Sequence, residues 1–272
     1  MVWIFVLSGV LCFLLLTYLF AISPAARRHS DRKILNGLYI AHRGLHSAKK
    51  GILENSIPAF RAAVNKGFAI ENDIHLTKDG EVVVFHDDDL FRMCGVHGIP
   101  EEMTLSELKA LRLKGTDERI PTLKECLDEI DGKVPVLIEF KIKSGSAEPL
   151  CSAADAILKD YKGKYFIQSF YPFVLSWYKK NRPEICRGQL ASSFEGETFP
   201  RRMLGMMLFN FIARPDFVSY EHTKKGALGR KICTFLGAFP VGWTFRSENE
   251  LESSRADFKA YIFENFLPKN KG

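Results

Sequence analysis

Eight short apolar runs, separated by stretches of helical periodicity, constrain the fold of this chain more than any other feature. They are GLYIAHR (37–43), FAIENDIHL (68–76), VPVLIEFKI (134–142), KYFIQSF (164–170), ICRGQL (185–190), DFVSY (216–220), FPVGWTF (239–245) and AYIFENF (260–266). Several are apolar throughout instead of alternating, the pattern of parallel strands covered on both faces. The stretches between them include IPAFRAAVNKG, TLSELKALRL, TLKECLDEI and AEPLCSAADAILKDY. Thr104 to Glu107 (TLSE) and Thr122 to Glu125 (TLKE) read as capping boxes that open helices. Strand then helix, eight times over, specifies an α/β chain and favours a (β/α)8 TIM barrel over an open doubly wound sheet. The active face of such a barrel is its C-terminal rim. His42 and Arg43, Glu71 and Asp73, Glu139 and Lys141, Ser169, Gln189 and Trp243 are all expected there.

The first segment does not belong to the barrel. Residues 2 to 22 carry no charge, and about 20 apolar residues suffice to cross a bilayer. A cleaved signal peptide needs a basic leading region and a shorter apolar core, so an uncleaved anchor is expected. The chain therefore divides into a transmembrane helix (1–23), a basic juxtamembrane linker (24–36) and the barrel (37–272). Arg27, Arg28, Arg32 and Lys33 follow the span, which places the barrel on the cytoplasmic side of a single-pass arrangement. The six cysteines are widely spaced without a CxxC, so reduced thiols are expected and neither zinc nor disulfides. A net charge of +6 is compatible with anionic lipid or a phosphorylated substrate, and equally with a plain solvated surface; no nucleic-acid partner is expected. The apolar stretch from Arg201 to Ala213 reads as an outer barrel helix, with grazing the bilayer or lining a lipid-tail groove as alternatives.

The chemistry concentrates in ENDIHLTKDGEVVVFHD, Glu71 to Asp87. Residues two apart in a strand share a face, so Glu71 and Asp73 point together. Asp79-Gly80 signals a two-residue hairpin loop that pairs Lys78 with Glu81 and sets Asp73 opposite His86. With Glu139 from the next strand, the two acids form an oxygen set suited to Ca²⁺ or Mg²⁺. His42 and His86 read as a general acid and base flanking that ion, and Arg43 and Lys141 as phosphate contacts. Glu54 and Asn55 either cap a helix or orient Arg43 and the metal shell. His46, His75 and His97 are expected in surface or turn positions.

The order His42-Arg43-Gly44, LENSIPAF, GFAIENDIHLTKDGEVVVFHDDDLFR, IEFK, IQSF and VGWT resembles the glycerophosphodiester phosphodiesterase family over residues 38 to 267. The resemblance implies a (β/α)8 barrel that hydrolyses glycerophosphodiesters to sn-glycerol 3-phosphate and an alcohol with a divalent cation. It implies Glu71, Asp73 and Glu139 as metal ligands and His42 and His86 as the catalytic pair. Arg43 and Lys141 correspond to phosphate contacts, Glu54 to their support, and Phe170 and Trp243 to substrate-pocket positions. Two departures stand out: Leu53 where the family commonly has proline, and Glu264-Asn265 where the closing strand often ends in Thr-Asp. A lysophospholipase D or phospholipase C acting on membrane lipids is the alternative, and a non-catalytic phosphodiester sensor a further one.

Overall fold

The computed structural model describes residues 1–26, 29–142 and 145–269. Arg27 and Arg28 of the basic flank lie outside the described residues. Among the described residues, nine strands form the sheet: β1 (Tyr39–Ala41), β2 (Ala69–Leu76), β3 (Val82–Val84), β4 (Val136–Phe140), β5 (Tyr165–Ser169), β6 (Arg187–Ala191), β7 (Phe217–Glu221), β8 (Phe239–Phe245) and β9 (Ala260–Phe263). All except β3 pair in parallel, and β1 bonds both β2 and β9, which closes an eight-stranded barrel. Each of the eight expected strands is present.

Helices in chain order are α1 (Val2–Ile22), α2 (Arg32–Leu35), α3 (Ile57–Lys66), α4 (Phe91–Cys94), α5 (Leu105–Ala110) and α6 (Leu123–Ile130). They continue as α7 (Glu148–Leu158), α8 (Pro172–Asn181), α9 (Phe199–Gly205), α10 (Asn210–Ala213), α11 (Leu228–Phe235) and α12 (Glu248–Glu252). Both expected capping boxes form: Thr104 caps α5 with Glu107 reciprocating, and Thr122 caps α6 with Glu125. Their side chains satisfy backbone donors that the first helical turn leaves open.

The hairpin register differs from expectation by one residue. Ile74 pairs with Val84 and Leu76 with Val82, so Asp73 faces Phe85 and not His86. Thr77 explains the shift: its Oγ1 accepts the Glu81 N–H and donates to Asp79, leaving a three-residue loop, 78–80. Only Gly80 in that loop takes positive φ, +85°, whereas a two-residue Asp-Gly loop needs both residues there. His86 thus stands beyond the end of β3.

Two layers fill the barrel. Towards the N-terminal ends, Ile40, Ala69, Leu137, Phe166, Phe217, Phe239 and Ile262 pack together, and Leu35 of α2 closes the base. The stretch expected as a linker therefore contains the barrel's plug, further fixed by an Arg32 guanidinium donating to the Gly237 carbonyl at 2.6 Å. One turn up each strand the lining becomes polar: Glu71, Asp73, Glu139 and Gln168 are all buried. Most of α1 projects from the barrel without burial, and its last turn docks on α10 and α11. Asn210 Nδ2 donates to the Ile22 carbonyl at 2.9 Å, and Arg214 donates to Phe20 and Ser23 carbonyls at 2.8 and 2.9 Å.

Candidate active site

Asp73 and Glu139 are in-register partners on β2 and β4, and Glu71 lies two residues before Asp73 on the same face. One oxygen from each of the three carboxylates lies within 4.8 Å of the others. Two ligands of a single Ca²⁺ at about 2.4 Å can be at most about 4.8 Å apart, so the spacing fits one hard cation. Burial and the neighbouring Asp73 and Glu139 charges push Glu71 well above the usual carboxylate range. Glu139 is also raised, mainly by burial. Asp73 is held low despite its burial, by Lys141, His86, Arg43 and His42. The donor set is all oxygen, which suits a hard divalent cation.

Both basic side chains reach this triad. Lys141, just past β4, sits 2.9 Å from Asp73 Oδ1 and 2.5 Å from Glu139 Oε1. Arg43 donates its backbone N–H to Glu71 Oε2 at 3.1 Å and holds Glu54 Oε1 through Nη1 at 2.8 Å. Its Nε lies 3.6 Å from Asp73 Oδ2. Glu54 takes the orienting role and not the capping one; Ser56 is the residue that caps α3. Glu54 also receives Arg92, which in turn holds Asp87. Asn55 Nδ2 donates to Asp73 Oδ2 at 2.9 Å, fixing the carboxylate's orientation.

The backbone around these residues is folded tightly. Arg43 and Asn55 both have positive φ, +55° and +51°, and the Asn55 N–H donates to the Arg43 carbonyl at 2.9 Å. Non-glycine residues held there cost about 1–3 kcal/mol each and cluster at functional sites. Gly44, at φ +80°, lets this turn lie against α3, where a Cβ would come within 2.9 Å of Ala59 and Phe60.

Each expected histidine has a carboxylate behind it. His42 Nδ1 lies 2.6 Å from Glu264 Oε2, at the end of β9, and Arg246 Nε bonds the other oxygen at 2.8 Å. His86 Nδ1 lies 2.6 Å from Asp87 Oδ1. Burial lowers both imidazoles below their ordinary value, opposed by those carboxylates and by Asp73. A Nδ1–H donated to carboxylate leaves Nε2 as the proton-exchanging atom. Glu264, Asp87 and Arg92 were not expected from sequence as supporting residues. For Glu264 the sequence offered only the departure from Thr-Asp at Glu264-Asn265 on the closing strand.

Other expectations need correcting. His75 is fully buried and its Nδ1 pairs with Glu101 at 2.6 Å; His46 lies beside Glu264 at the rim, 4.0 Å away. Only His75, inside β2, departs from the expected surface or turn placement; His46 is a partly exposed loop residue, and His97 is exposed against Asp89. Ser169 and Gln189 do not join the site: Ser169 donates to the Phe140 carbonyl and Gln189 to those of Ser169 and Phe170. Gln168, one residue before Ser169 on β5, lines it instead, in register with Glu139 across β4 and β5. Phe170 and Trp243 meet edge to face at 6.0 Å, and Phe194 joins them 5.8 Å from Phe170. These rings form an apolar wall beside the charged centre.

The model of the glycerophosphoryl diester phosphodiesterase family matches residues 42–219, more than half of the chain. The chain belongs to this family. Among curated relatives of the chain, a glycerophosphodiester phosphodiesterase of Caldanaerobacter subterraneus is 37% identical over 56% of this chain and 66% of its own length. A lysophospholipase D of Rattus norvegicus is 32% identical over 56% of this chain and 49% of its own. The chain thus spans about half to two thirds of the length of these relatives. Among solved structures, a Thermotoga maritima glycerophosphodiester phosphodiesterase superposes with a TM-score of 0.63 at 26% identity, covering 83% of this chain and 93% of that one. An Oleispira antarctica phosphodiesterase, solved with sn-glycerol-3-phosphate, has a TM-score of 0.69 at 24% identity over 85% of this chain and 94% of that one. The latter likeness establishes the shared barrel.

Proposed function

We propose that this phosphodiesterase hydrolyses glycerophosphodiesters bearing a free 2-hydroxyl, releasing an alcohol and sn-glycerol 3-phosphate. One observation carries the reading: two imidazoles, each backed by a carboxylate, face a buried acidic triad through the shared Asp73 charge. Glu71, Asp73 and Glu139 would hold Ca²⁺ or Mg²⁺. When bound, such an ion supplies positive charge to a phosphate oxygen and acidifies a hydroxyl beside it.

Arg43 and Lys141 then meet the remaining phosphate oxygens, the first as a planar fork held by Glu54 and the second as a point charge. His42 takes the proton of the glycerol 2-hydroxyl as its oxygen bonds phosphorus, and His86 gives its proton to the departing alcohol. Water opens the resulting cyclic phosphate, with the histidines in reversed roles. Phe170 and Trp243 hold the carbon framework of the substrate.

A second reading, hydrolysis of lysophospholipids, shares this chemistry. The unburied, charge-free α1 and the lysophospholipase D relative favour it. In that reading α1 is a single-pass anchor with the barrel on the cytoplasmic side. Assays of glycerophosphocholine, glycerophosphoethanolamine, glycerophosphoglycerol and a lysophospholipid, with Ca²⁺ or Mg²⁺ and an EDTA control, test both. A diacyl phospholipid lacks the free hydroxyl and is expected to be inert. Turnover that persists in EDTA, or in H42A and H86A alike, refutes the proposal.

A further inference from the structure

The anchor and the site lie at opposite ends of the barrel. The segment just after α1 docks where β7 begins: Ala25 N–H donates to the Pro215 carbonyl at 3.0 Å, two residues before Phe217. The acidic triad lies on the other side of the layer that contains Phe217, towards the C-terminal ends of the strands. A barrel standing upright on this helix would hold its mouth away from the bilayer.

One flank of the barrel breaks that symmetry. Phe199, Met206, Phe211, Leu228, Phe235 and Leu236, on α9 to α11, are exposed; they make up six of the ten large exposed apolar residues that follow α1 among the described residues. Such a patch is costly in water and marks an interaction surface. The patch is continuous with α1: the Phe20 and Phe211 rings lie 6.4 Å apart, and the Arg214 guanidinium covers Phe20 at 4.4 Å. At its other end it leads to the mouth. Arg201 on α9 lies over the Phe194 ring at 5.9 Å, and Phe194 touches Phe170 of the aromatic wall. Neither 199–213 nor 228–236 contains an acidic residue, while Arg201, Arg202 and Lys231 stand among the apolar side chains. Apolar groups interspersed with cations are what an anionic lipid interface accepts.

We infer that the α9–α11 flank lies in the headgroup layer of the bilayer that α1 spans. The barrel then rests on its side, and its mouth opens at the lipid surface to an amphiphilic phosphodiester. This inference rests on the reading of the chain as an anchored phosphodiesterase and adds how its mouth meets a lipid. A stripe of apolar rings from anchor to mouth gives the acyl chain of a lysophospholipid an apolar path while its phosphate reaches Arg43 and Lys141.

The full chain is reconstituted in phosphatidylcholine–phosphatidylglycerol vesicles carrying phospholipids brominated high on the acyl chain. Fluorescence quenching is compared for F199W, F235W and F91W, each above the background of the native tryptophans; Phe91 is exposed on α4, far along the chain from this flank. Quenching of F199W and F235W well beyond that of F91W is expected. Equal quenching at the three positions overturns the inference, as does a detergent-solubilised dimer buried through this flank. In parallel, the triple variant L228E/F235E/L236E is expected to hydrolyse vesicle-borne lysophospholipid at least about tenfold more slowly, with soluble glycerophosphocholine turnover unchanged. A fall shared by both substrates reports misfolding, and the quenching series then decides alone. Glycerophosphocholine turnover in detergent tests the activity separately, so an inactive wild type sinks the functional reading without touching the quenching result.

Discussion

Replacing Glu264 by glutamine tests whether the carboxylate behind His42 is part of the machinery. Both groups are mostly enclosed, the His42 side chain 15% and the Glu264 side chain 12% exposed, and their atoms lie 2.6 Å apart. Two bonds, from His42 and Arg246, and the surrounding positive charge hold Glu264 at about pKa 2 even though burial opposes ionisation. The E264Q variant would keep the shape and remove the charge. A hydrogen bond to an ionised group contributes about 1.5–3 kcal/mol against about 1 for a neutral one. The difference, about 1–2 kcal/mol, corresponds to a fall in kcat of about 5–30-fold. The sign of the pH effect follows from the charge: a nearby carboxylate favours imidazolium, so its loss moves the His42 titration to lower pH. If His42 is the base, the acidic limb of the kcat/KM profile shifts down; if it is the acid, the alkaline limb does. The assay is release of sn-glycerol 3-phosphate from glycerophosphocholine across pH 5–9, about the range in which histidine titrates. Unaltered kcat with both limbs in place would refute the assignment, and partial recovery in E264D separates charge from packing.

Three other substitutions probe the same centre. Glu71 is raised by burial, so in metal-free protein ionising it costs stability as pH climbs past the unfolded value of about 4.3, and the cost is complete only above the raised folded value. E71Q is therefore expected to melt higher than wild type in EDTA at neutral pH, by about 2–4 °C per kcal/mol relieved, while losing activity and the melting increase that Ca²⁺ gives wild type. A lower melting temperature in EDTA would contradict it. H86A is expected to reduce turnover about 10²- to 10⁴-fold, measured at saturating substrate. G44A must place a side chain at φ +80° with its Cβ 2.9 Å from Ala59, so calorimetry should show a loss of stability; an unchanged melting temperature would mean the turn is slack.

The barrel was legible because parallel strands buried on both faces write themselves as continuous apolar runs, and all eight appear where expected, β6 and β7 each running one residue past the expected end. The acidic triad was legible for a related reason: Glu71, Asp73 and Glu139 interrupt those runs where a branched aliphatic is normal. What failed depended on contacts that spacing does not encode. The hairpin register turned on one hydroxyl, that of Thr77, overriding the Asp-Gly signal. His75 was misjudged because its partner Glu101 comes from a loop 26 residues later. Ser169 and Gln189 were misplaced because a one-residue difference in strand parity exchanges the two faces of a sheet, so Gln168 is the one that lines the site.

The pairing of β1 with β9 has a bearing on how this protein comes into being. His42 meets its carboxylate across 222 positions of sequence, from the last of the staves to emerge. A ribosome that has released β1 to β8 still holds a cylinder with an open seam, its first imidazole unsupported. Closure of the cylinder therefore waits for β9, and a nascent chain, or one clipped ahead of that strand, lacks the carboxylate that stands behind His42.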